Sequence, residues 1–274
     1  MAEEMIEEII HENTLFAEPI MHLGHFTITN SLLTSALALI IIITLAWLVR
    51  RNLKEVPTGI QNVLEMIVDA FLGIFDSVTG SRKKSLQFAP LVLAFFFFIL
   101  VNNWMGLLPG VGSIGQLVRE HGELVFVPYL RGATADLKTT LALATLGVVL
   151  SHIFGVLAVG WWQYLNKFIN LKAFLEIPGK IRKDPMIILI NPIKAFVGLI
   201  EIVGELAKVA SLAFRLFGNV FAGEVLLASI SAILAFAVPV PFLFLEILVG
   251  LIQALIFAML VLTYLTISTT AEEH

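Results

Sequence analysis

The hydrophobic pattern of this chain consists of apolar runs that are too long for the helices of a soluble core. A run of about 18 or more apolar residues is long enough to cross a lipid bilayer, and several segments reach that length. The predicted membrane segments are residues 31–49, 88–108 and 139–165, followed by two helices within 187–270. We therefore predict an all-α polytopic membrane protein that forms a single membrane domain with about five membrane helices.

The segment 58–80 shows a different pattern, because its polar positions recur at helical spacing. The polar residues that share one face at 100° per residue are Thr58, Gln61, Asn62, Glu65, Asp69 and Asp76. Apolar residues occupy the rest of the surface. This pattern predicts an amphipathic helix that lies at the membrane interface rather than crossing the bilayer.

The last apolar region, residues 187–270, is too long for two upright membrane helices. No proline interrupts it from Pro192 to about Phe236, and that stretch would form roughly 67 Å of helix at 1.5 Å per residue. The hydrocarbon core of a bilayer is only about 30 Å thick. The chain must either break near Gly218 or Gly223 or form a strongly tilted helix. A proline pair then marks the turn into the final helix, so the region forms a long helical hairpin, strongly tilted if its first helix is unbroken.

Composition supports the membrane assignment. The chain is 58% hydrophobic and only 14% charged, whereas about 25% of the residues in a soluble globular protein are charged. It contains no cysteine, which excludes disulfides and thiolate metal sites.

The positive charges are unevenly distributed and orient the predicted spans. Of the 17 Lys and Arg residues, 11 lie in the segments 50–54, 82–84 and 167–183. By the positive-inside rule these segments, including the basic loop 166–186, face the cytoplasm. The acidic N-terminal arm, residues 1–30, and the loop 109–138 then lie outside, and the C-terminus is cytoplasmic.

Charged and amide side chains follow one face of the first helix in the last apolar region. This polar seam, as we call it, falls within about 40° of a mean direction on a helical wheel and consists of Lys194, Glu201, Glu205, Lys208, Arg215 and Asn219. An arginine near a bilayer centre costs about 2.5–3.5 kcal/mol on insertion scales. No carboxylate lies within one helical turn of Arg215, which makes it a functional candidate. Two structural alternatives remain: an ion pair between Arg215 and a neighbouring helix, and a salt-bridged interior for the lower part of the seam.

The carboxylates near Arg215 divide into two groups. Glu224 points more than 90° away from the polar seam, and Glu246 lies on the adjoining last helix. Together they suggest an aqueous pocket that opens to the outside, while Glu201 and Glu205 lie nearer the inside. Arg215 separates the groups, which is the arrangement of two half-channels with a barrier between them.

The chemistry of arginine suits such a barrier. Its guanidinium does not deprotonate in proteins, so it cannot pass a proton along. A permanent cation also lowers the pKa of a carboxylate brought beside it, so a mobile protonated carboxyl would release its proton on meeting Arg215. No mobile carboxyl is evident in this chain, and we therefore expect it on another subunit.

The segment RLFGNVFAGE, residues 215–224, resembles subunit a of F-type ATP synthases. GLLP at 106–109, TADL at 134–137, Gln253 and the C-terminal TYLTIS extend the resemblance over nearly the whole chain. The resemblance implies a non-catalytic subunit without cofactor or metal: the proton or ion channel stator of the membrane Fo sector. It also implies, as partners, a ring of c subunits, the peripheral-stalk subunit b, the F1 sector indirectly and the lipid bilayer, with no nucleic acid. The corresponding location is a bacterial plasma membrane.

The resemblance also assigns roles to individual residues. It makes Arg215 the barrier and the contact for the c-ring carboxylates, accompanied by the polar residues Asn219 and Gln253. It places Glu224 and Glu246 in the outer half-channel, where many relatives pair a glutamate with a histidine. On the inner half-channel it places Glu201, Lys208 and Ser211.

Two other functions compete with this one. A self-contained secondary transporter usually shows internal repeats and paired broken helices, and the Arg215 segment has no repeat in the first half of the chain. A membrane anchor without transport would leave the polar seam unexplained. Outside the seam, we expect a structural role for Asp136 and a hydrogen bond from His152 to a neighbouring helix, although His152 could also line a channel.

Overall fold

The computed structural model describes residues 14–24, 26–51, 53–108, 110–120, 123–169, 187–233 and 238–270. These ranges are mostly helical and include two short antiparallel β-hairpins. In chain order the elements are β1 (Pro19–Leu23), β2 (Phe26–Thr29), α1 (Asn30–Arg51), α2 (Ile60–Thr79), α3 (Arg82–Gly106), β3 (Gly115–Glu120), β4 (Glu123–Pro128), a 3-10 turn (Ala133–Ala135), α4 (Leu137–Val159), α5 (Trp161–Ile169), α6 (Ile187–Ile233) and α7 (Pro239–Thr269).

Five of the described helices are long and apolar enough to cross a membrane. They are α1, α3, α4, the part of α6 at Phe196–Ile233, and α7. The predicted polytopic helical fold is therefore confirmed. Helix α2 is not among the five, and it packs one apolar face, with Phe71, Leu72 and Phe75, into the core while its remaining surface is largely exposed.

The two C-terminal helices α6 and α7 pack against α3 and α4 around one apolar core. The buried core side chains include Phe88 and Ile99 of α3 and Phe257 of α7. Small residues bring α4 close to α7: a Cβ added at Gly147 would lie 3.0 Å from Val261 Cγ2. Membrane helices rely on such small residues for close packing, because lipid provides no hydrophobic force between them.

Helix α6 passes unbroken through Gly218 and Gly223 over its 47 residues. A glycine costs about 1 kcal/mol in a helix but keeps its backbone N–H, so packing can hold the helix together. Of the two sequence alternatives, a break at these glycines is therefore wrong, and the helix is a single long rod.

The third apolar segment is shorter than the predicted 139–165. Helix α4 ends at Val159, because Gly160 adopts a φ of 95°, a left-handed region open mainly to glycine. The chain then starts the separate helix α5 at Trp161. The basic residues of the loop 166–186 beyond position 169 lie outside the described residues.

The segments predicted as an arm and a polar loop contain regular structure. Strand β1 pairs with β2, and β3 pairs with β4 with Leu117 opposite Phe126. The arm docks on the loop, since Leu137 N donates to Leu15 O at 3.3 Å and Ala17 N to Asp136 Oδ1 at 3.1 Å. Following the predicted orientation, we call this end of the molecule the outer end and the opposite end the inner end.

Candidate functional site

Arg215 lies in the middle of α6 and faces away from the core. Its neighbours Leu212 and Leu216 are buried, whereas Arg215 is exposed, in line with Ser211 and Asn219 one turn away on either side. This alternation arises because apolar residues at helical spacing pull one face of α6 into the core and turn Ser211, Arg215 and Asn219 outward. In the described part of the chain, Arg215 has no salt bridge and no hydrogen bond. The alternative of an ion pair with a neighbouring described helix is therefore not what the structure shows.

Two amide side chains link α6 to α7 beside Arg215. Asn219 Nδ2 donates to Gln253 Oε1 at 2.7 Å. Gln253 is almost completely buried, and its Nε2 has no hydrogen-bond partner among the described residues. Leaving a buried amide donor unpaired costs about 1–3 kcal/mol. The pair therefore keeps one polar group available at the α6–α7 contact next to Arg215.

A pocket of about 440 Å³ opens at the outer end between α6, α7, α3, the N-terminal arm and the segment that joins α3 to α4. The charged residues in its wall are Glu18, Arg131, Glu224 and Glu246. The structure thus brings Glu224 and Glu246, which lie on different helices, to one pocket. Both side chains are partly exposed, so water and ions can reach them.

Glu246 reaches across to the backbone of α6. A Cβ placed at Gly223 would overlap the Glu246 carboxylate in its present position, so the glycine leaves room for it. The adjacent residue on α6 is Glu224. This close approach explains why a glycine interrupts an otherwise good helix-forming sequence at this position.

Arg131 binds Glu224 through two nitrogens. Nε donates to Oε1 at 3.0 Å and to Oε2 at 3.2 Å, and Nη2 donates to Oε2 at 3.0 Å. Sequence reasoning missed this residue, because Arg131 is one of three positive residues in its loop and no spacing distinguishes it from Arg119 or Lys138. The one feature of the sequence that could have identified Arg131 is its position just before the TADL segment.

Asp136 has the structural role that we expected. Its carboxylate accepts hydrogen bonds from Lys138 N and Thr139 N at 3.2 Å each, which caps the N-terminus of α4. Capping satisfies backbone donors that the first helical turn leaves unpaired. The preceding turn is held to α3, where Asn103 accepts from Thr134 Oγ1 at 2.6 Å and donates to Gly250 O of α7 at 2.9 Å.

A second polar cluster lies at the inner end of α6. Lys208 Nζ donates to Glu205 Oε1 at 2.6 Å, and His152 Nε2 of α4 lies 3.5 Å from Glu205 Oε2. His152 Nδ1 lies 2.5 Å from the Tyr164 hydroxyl on α5, so the expected bond to a neighbouring helix is present. The Lys208 ammonium also lies 5.2 Å from the centre of the Tyr264 ring on α7. The inner cluster, by which we mean these five residues, ties four helices together.

The remaining predicted site residues lie along α6. Glu201 is half-buried one turn from Glu205, and Ser211 is exposed on the same side as Arg215. The side chain of Lys194 lies outside the described residues. The lower part of the polar seam is therefore ion-paired at Glu205, as its structural alternative held.

Comparison with known proteins identifies the family to which the chain is similar. The family model described as ATP synthase A chain matches residues 32–266. ATP synthase subunit a of Moorella thermoacetica is 29% identical over 248 residues, which cover 90% of this chain and 93% of that protein. ATP synthase subunit a of Mycobacterium marinum is 33% identical over 256 residues, covering 92% and 91% of the two chains. Subunit a of Geobacter sulfurreducens is 30% identical over 229 residues, covering 84% and 82%.

Proposed function

The chain belongs to the ATP synthase A chain family, and on this basis we propose that it is the ion-conducting stator of the Fo sector. It is a multi-pass membrane protein. The proposal assigns it two offset half-channels that carry protons to and from the carboxylates of a c-subunit ring. No ATP chemistry is assigned to this chain.

The exposed Arg215 carries the proposal. It stands on the outward face of α6 between the outer pocket and the inner cluster. Glu224 is nine residues further along the helix, about 13 Å by helix rise, and Glu205 is ten residues before, about 15 Å. A permanent cation in the middle blocks direct proton transfer between the two ends. A charge placed at such cost and without a described partner is explained by a partner on another subunit.

The proposed cycle follows from these positions. A proton enters the outer pocket through Glu224 and Glu246 and passes to a ring carboxylate that has left Arg215. After rotation the same carboxyl approaches Arg215 from the other side and releases its proton. The inner path then leads past Ser211, Lys208 and Glu201. Each proton that crosses 100 mV supplies about 2.3 kcal/mol for rotation.

Asn219 and Gln253 support Arg215 in this scheme. Asn219 is one turn from Arg215 on the same exposed face, and its bond to the buried Gln253 fixes α6 against α7 at that height. We assign them the role of holding the stator surface rigid where the ring carboxylate arrives. The exposed apolar residue Phe214 beside Arg215 suits contact with the ring or lipid.

The surroundings of the subunit follow from the same proposal. The c ring lies against the Arg215 face of α6, subunit b of the peripheral stalk holds the subunit still, and F1 is coupled indirectly. We place the chain in a bacterial plasma membrane with the N-terminus outside and the C-terminus in the cytoplasm, because the basic segments then face inward.

The test is proton transport by assembled complexes that carry Arg215→Ala. ATP-driven pumping and ATP synthesis should fall to background, while the complex still assembles and the passive proton leak rises or stays measurable. Arg119→Ala, which removes an exposed arginine from strand β3, is the matched control and should behave as wild type. Pumping near the wild-type rate in the Arg215→Ala complex would refute the two-half-channel scheme.

A secondary transporter remains the competing function, and it makes an opposite prediction. Such a protein would move ions in vesicles that contain this chain and no ring subunits. The stator proposal predicts no ion flux above the lipid background in those vesicles, and flux only after the ring is added.

A further inference from the structure

Arg131 is the most completely buried charged side chain in the outer pocket. Its side chain is 5% exposed, whereas that of its partner Glu224 is 32% exposed. A buried ion costs several kcal/mol of desolvation unless excellent geometry and further hydrogen bonds offset it. The burial of Arg131 therefore has to be offset by its contacts, and these contacts indicate its role.

All three guanidinium nitrogens of Arg131 are used. Nε and Nη2 bind the Glu224 carboxylate. Nη2 also donates to Thr14 O at 2.8 Å, and Nη1 donates to Thr14 Oγ1 at 3.0 Å and to Phe16 O at 3.5 Å. One side chain thus holds both an α6 carboxylate and the N-terminal arm, which are more than 90 residues from it in sequence on either side.

The backbone of Arg131 is also fixed in place. Its N–H donates to Thr34 Oγ1 of α1 at 3.3 Å, and the preceding residue, Leu130, accepts from Gly112 N at 3.2 Å. The guanidinium therefore approaches Glu224 from a rigid support. A carboxylate held in this way has a defined direction, and a displacement of 1 Å at a reacting group can cost about a hundredfold in rate.

The charges in the outer pocket make this support necessary. Three carboxylates line the pocket, one each from the arm, α6 and α7: Glu18, Glu224 and Glu246. Arg131 is the one cation in the described wall. Like charges in a shared pocket repel and would turn Glu224 away from Glu246 if nothing held it. Because arginine neither accepts nor releases a proton, it can hold Glu224 without itself relaying the transported ion.

We propose that Arg131 is a positioning residue of the outer half-channel, which aims the Glu224 carboxylate into the pocket and holds the Thr14–Phe16 segment beside it. This inference rests on the proposed function, since it assigns a support to the proton entry site. It gives the N-terminal arm a role as part of the pocket wall, and it makes the outer half-channel depend on three separate chain segments.

Proton flux through assembled complexes tests the proposal. Complexes with Arg131→Gln, Arg131→Lys and the control Arg119→Gln are reconstituted, F1 is stripped, and passive flux is measured per assembled complex. The pH at the outer face is varied while the inner face is held constant, and the reverse series follows. Sidedness is the decisive readout, because a residue that only stabilises the fold would not alter the response to one face alone.

The expected results follow from the geometry. Arg131→Gln should lower the flux by about tenfold or more and change its dependence on outer pH, with the dependence on inner pH unchanged. Arg131→Lys keeps the charge but cannot reproduce the fork to both carboxylate oxygens, so its flux should lie between those of wild type and Arg131→Gln. Arg119→Gln should match wild type in both series.

Three outcomes would overturn the proposal. The first is wild-type flux and wild-type dependence on outer pH in Arg131→Gln. The second is an equal change in the response to both faces. The third is failure of both Arg131 variants to assemble while Arg119→Gln assembles, which would leave Arg131 a purely structural role. Failure of the stator proposal is a separate result, since it appears as pumping by the Arg215→Ala complex.

Discussion

The two ends of α6 both carry paired charges, but the pairs are built in different ways. At the inner end Glu205 is bonded to Lys208, three residues away on the same helix. At the outer end Glu224 is bonded to Arg131, 93 residues away in the segment that joins α3 to α4. The inner pair forms as soon as the helix forms, because residues three apart share a face. The outer pair forms only when the arm, the segment that joins α3 to α4, and α6 meet.

The chemical balance of the two ends also differs. The outer pocket contains three carboxylates and one arginine in its described wall. The inner cluster contains one carboxylate, one lysine and one histidine. A pocket with excess acidic groups attracts cations and protons, whereas a nearly neutral cluster releases them more readily. The comparison predicts that substitutions at the two ends will have one-sided effects, and the following variants test this.

The largest effect is expected for Glu224→Gln. The change removes a proton acceptor, which is worth about 10²–10⁴-fold in proton-transfer chemistry, and it leaves Arg131 buried without its ion pair. We expect proton flux per assembled complex to fall about a hundredfold, and ATP synthesis to fall with it. Flux is measured in vesicles that carry the assembled complex.

The corresponding variant at the inner end is Glu205→Gln, and its proton flux is compared with that of Glu224→Gln. Lys208 and His152 remain partly exposed after this change and can be solvated, so we expect a loss of only several-fold. Equal losses in Glu224→Gln and Glu205→Gln would show that the distinction between the two ends has no functional meaning.

A smaller effect is expected for Gly223→Ala at the outer end. The new methyl group would overlap the Glu246 carboxylate, which is the far end of a flexible side chain and can shift at little cost. Glu246 must therefore move away from α6. We expect reduced proton flux per assembled complex, with a melting temperature of the purified complex close to that of wild type.

Gly204→Ala is the matched variant toward the inner end of the same helix. No atom of the described chain lies within 4 Å of the added methyl group, and alanine is favoured over glycine in a helix by about 1 kcal/mol. Its stability should equal or exceed that of wild type. If proton flux were as high in Gly223→Ala as in Gly204→Ala, the position of the Glu246 carboxylate against α6 would have no functional meaning.

The smallest effect is expected for His152→Gln. The Glu205 carboxylate retains Lys208 after the change, and partly exposed ion pairs contribute about 0–1 kcal/mol. We expect flux to change less than about threefold, and only in its dependence on inner pH. Control complexes carry His22→Gln, which alters an exposed histidine of the arm. A change in the response to outer pH would contradict the assignment of His152 to the inner end.

The elements themselves could be predicted well from local patterns. Apolar runs identified the five long helices, and helical spacing placed Arg215 and Asn219 on one side of α6. Predictions were weaker where backbone conformation depends on single residues. Gly160 ends α4 earlier than hydropathy indicates, while Gly218 and Gly223 do not end α6, because packing rather than glycine content decides whether a helix continues.

The sequence by itself determined the membrane class, the number of long helices and the order of charges along α6, because these follow from periodicity within one segment. Only the tertiary structure decided that Arg131 meets Glu224, that His152 meets Glu205, and that Glu18 of the N-terminal arm lines the outer pocket. Those contacts join residues from different elements, and the packing of the whole chain selects which of several candidate charges meet. Spacing along the chain cannot predict that choice, because it does not distinguish Arg131 from Arg119 or Lys138.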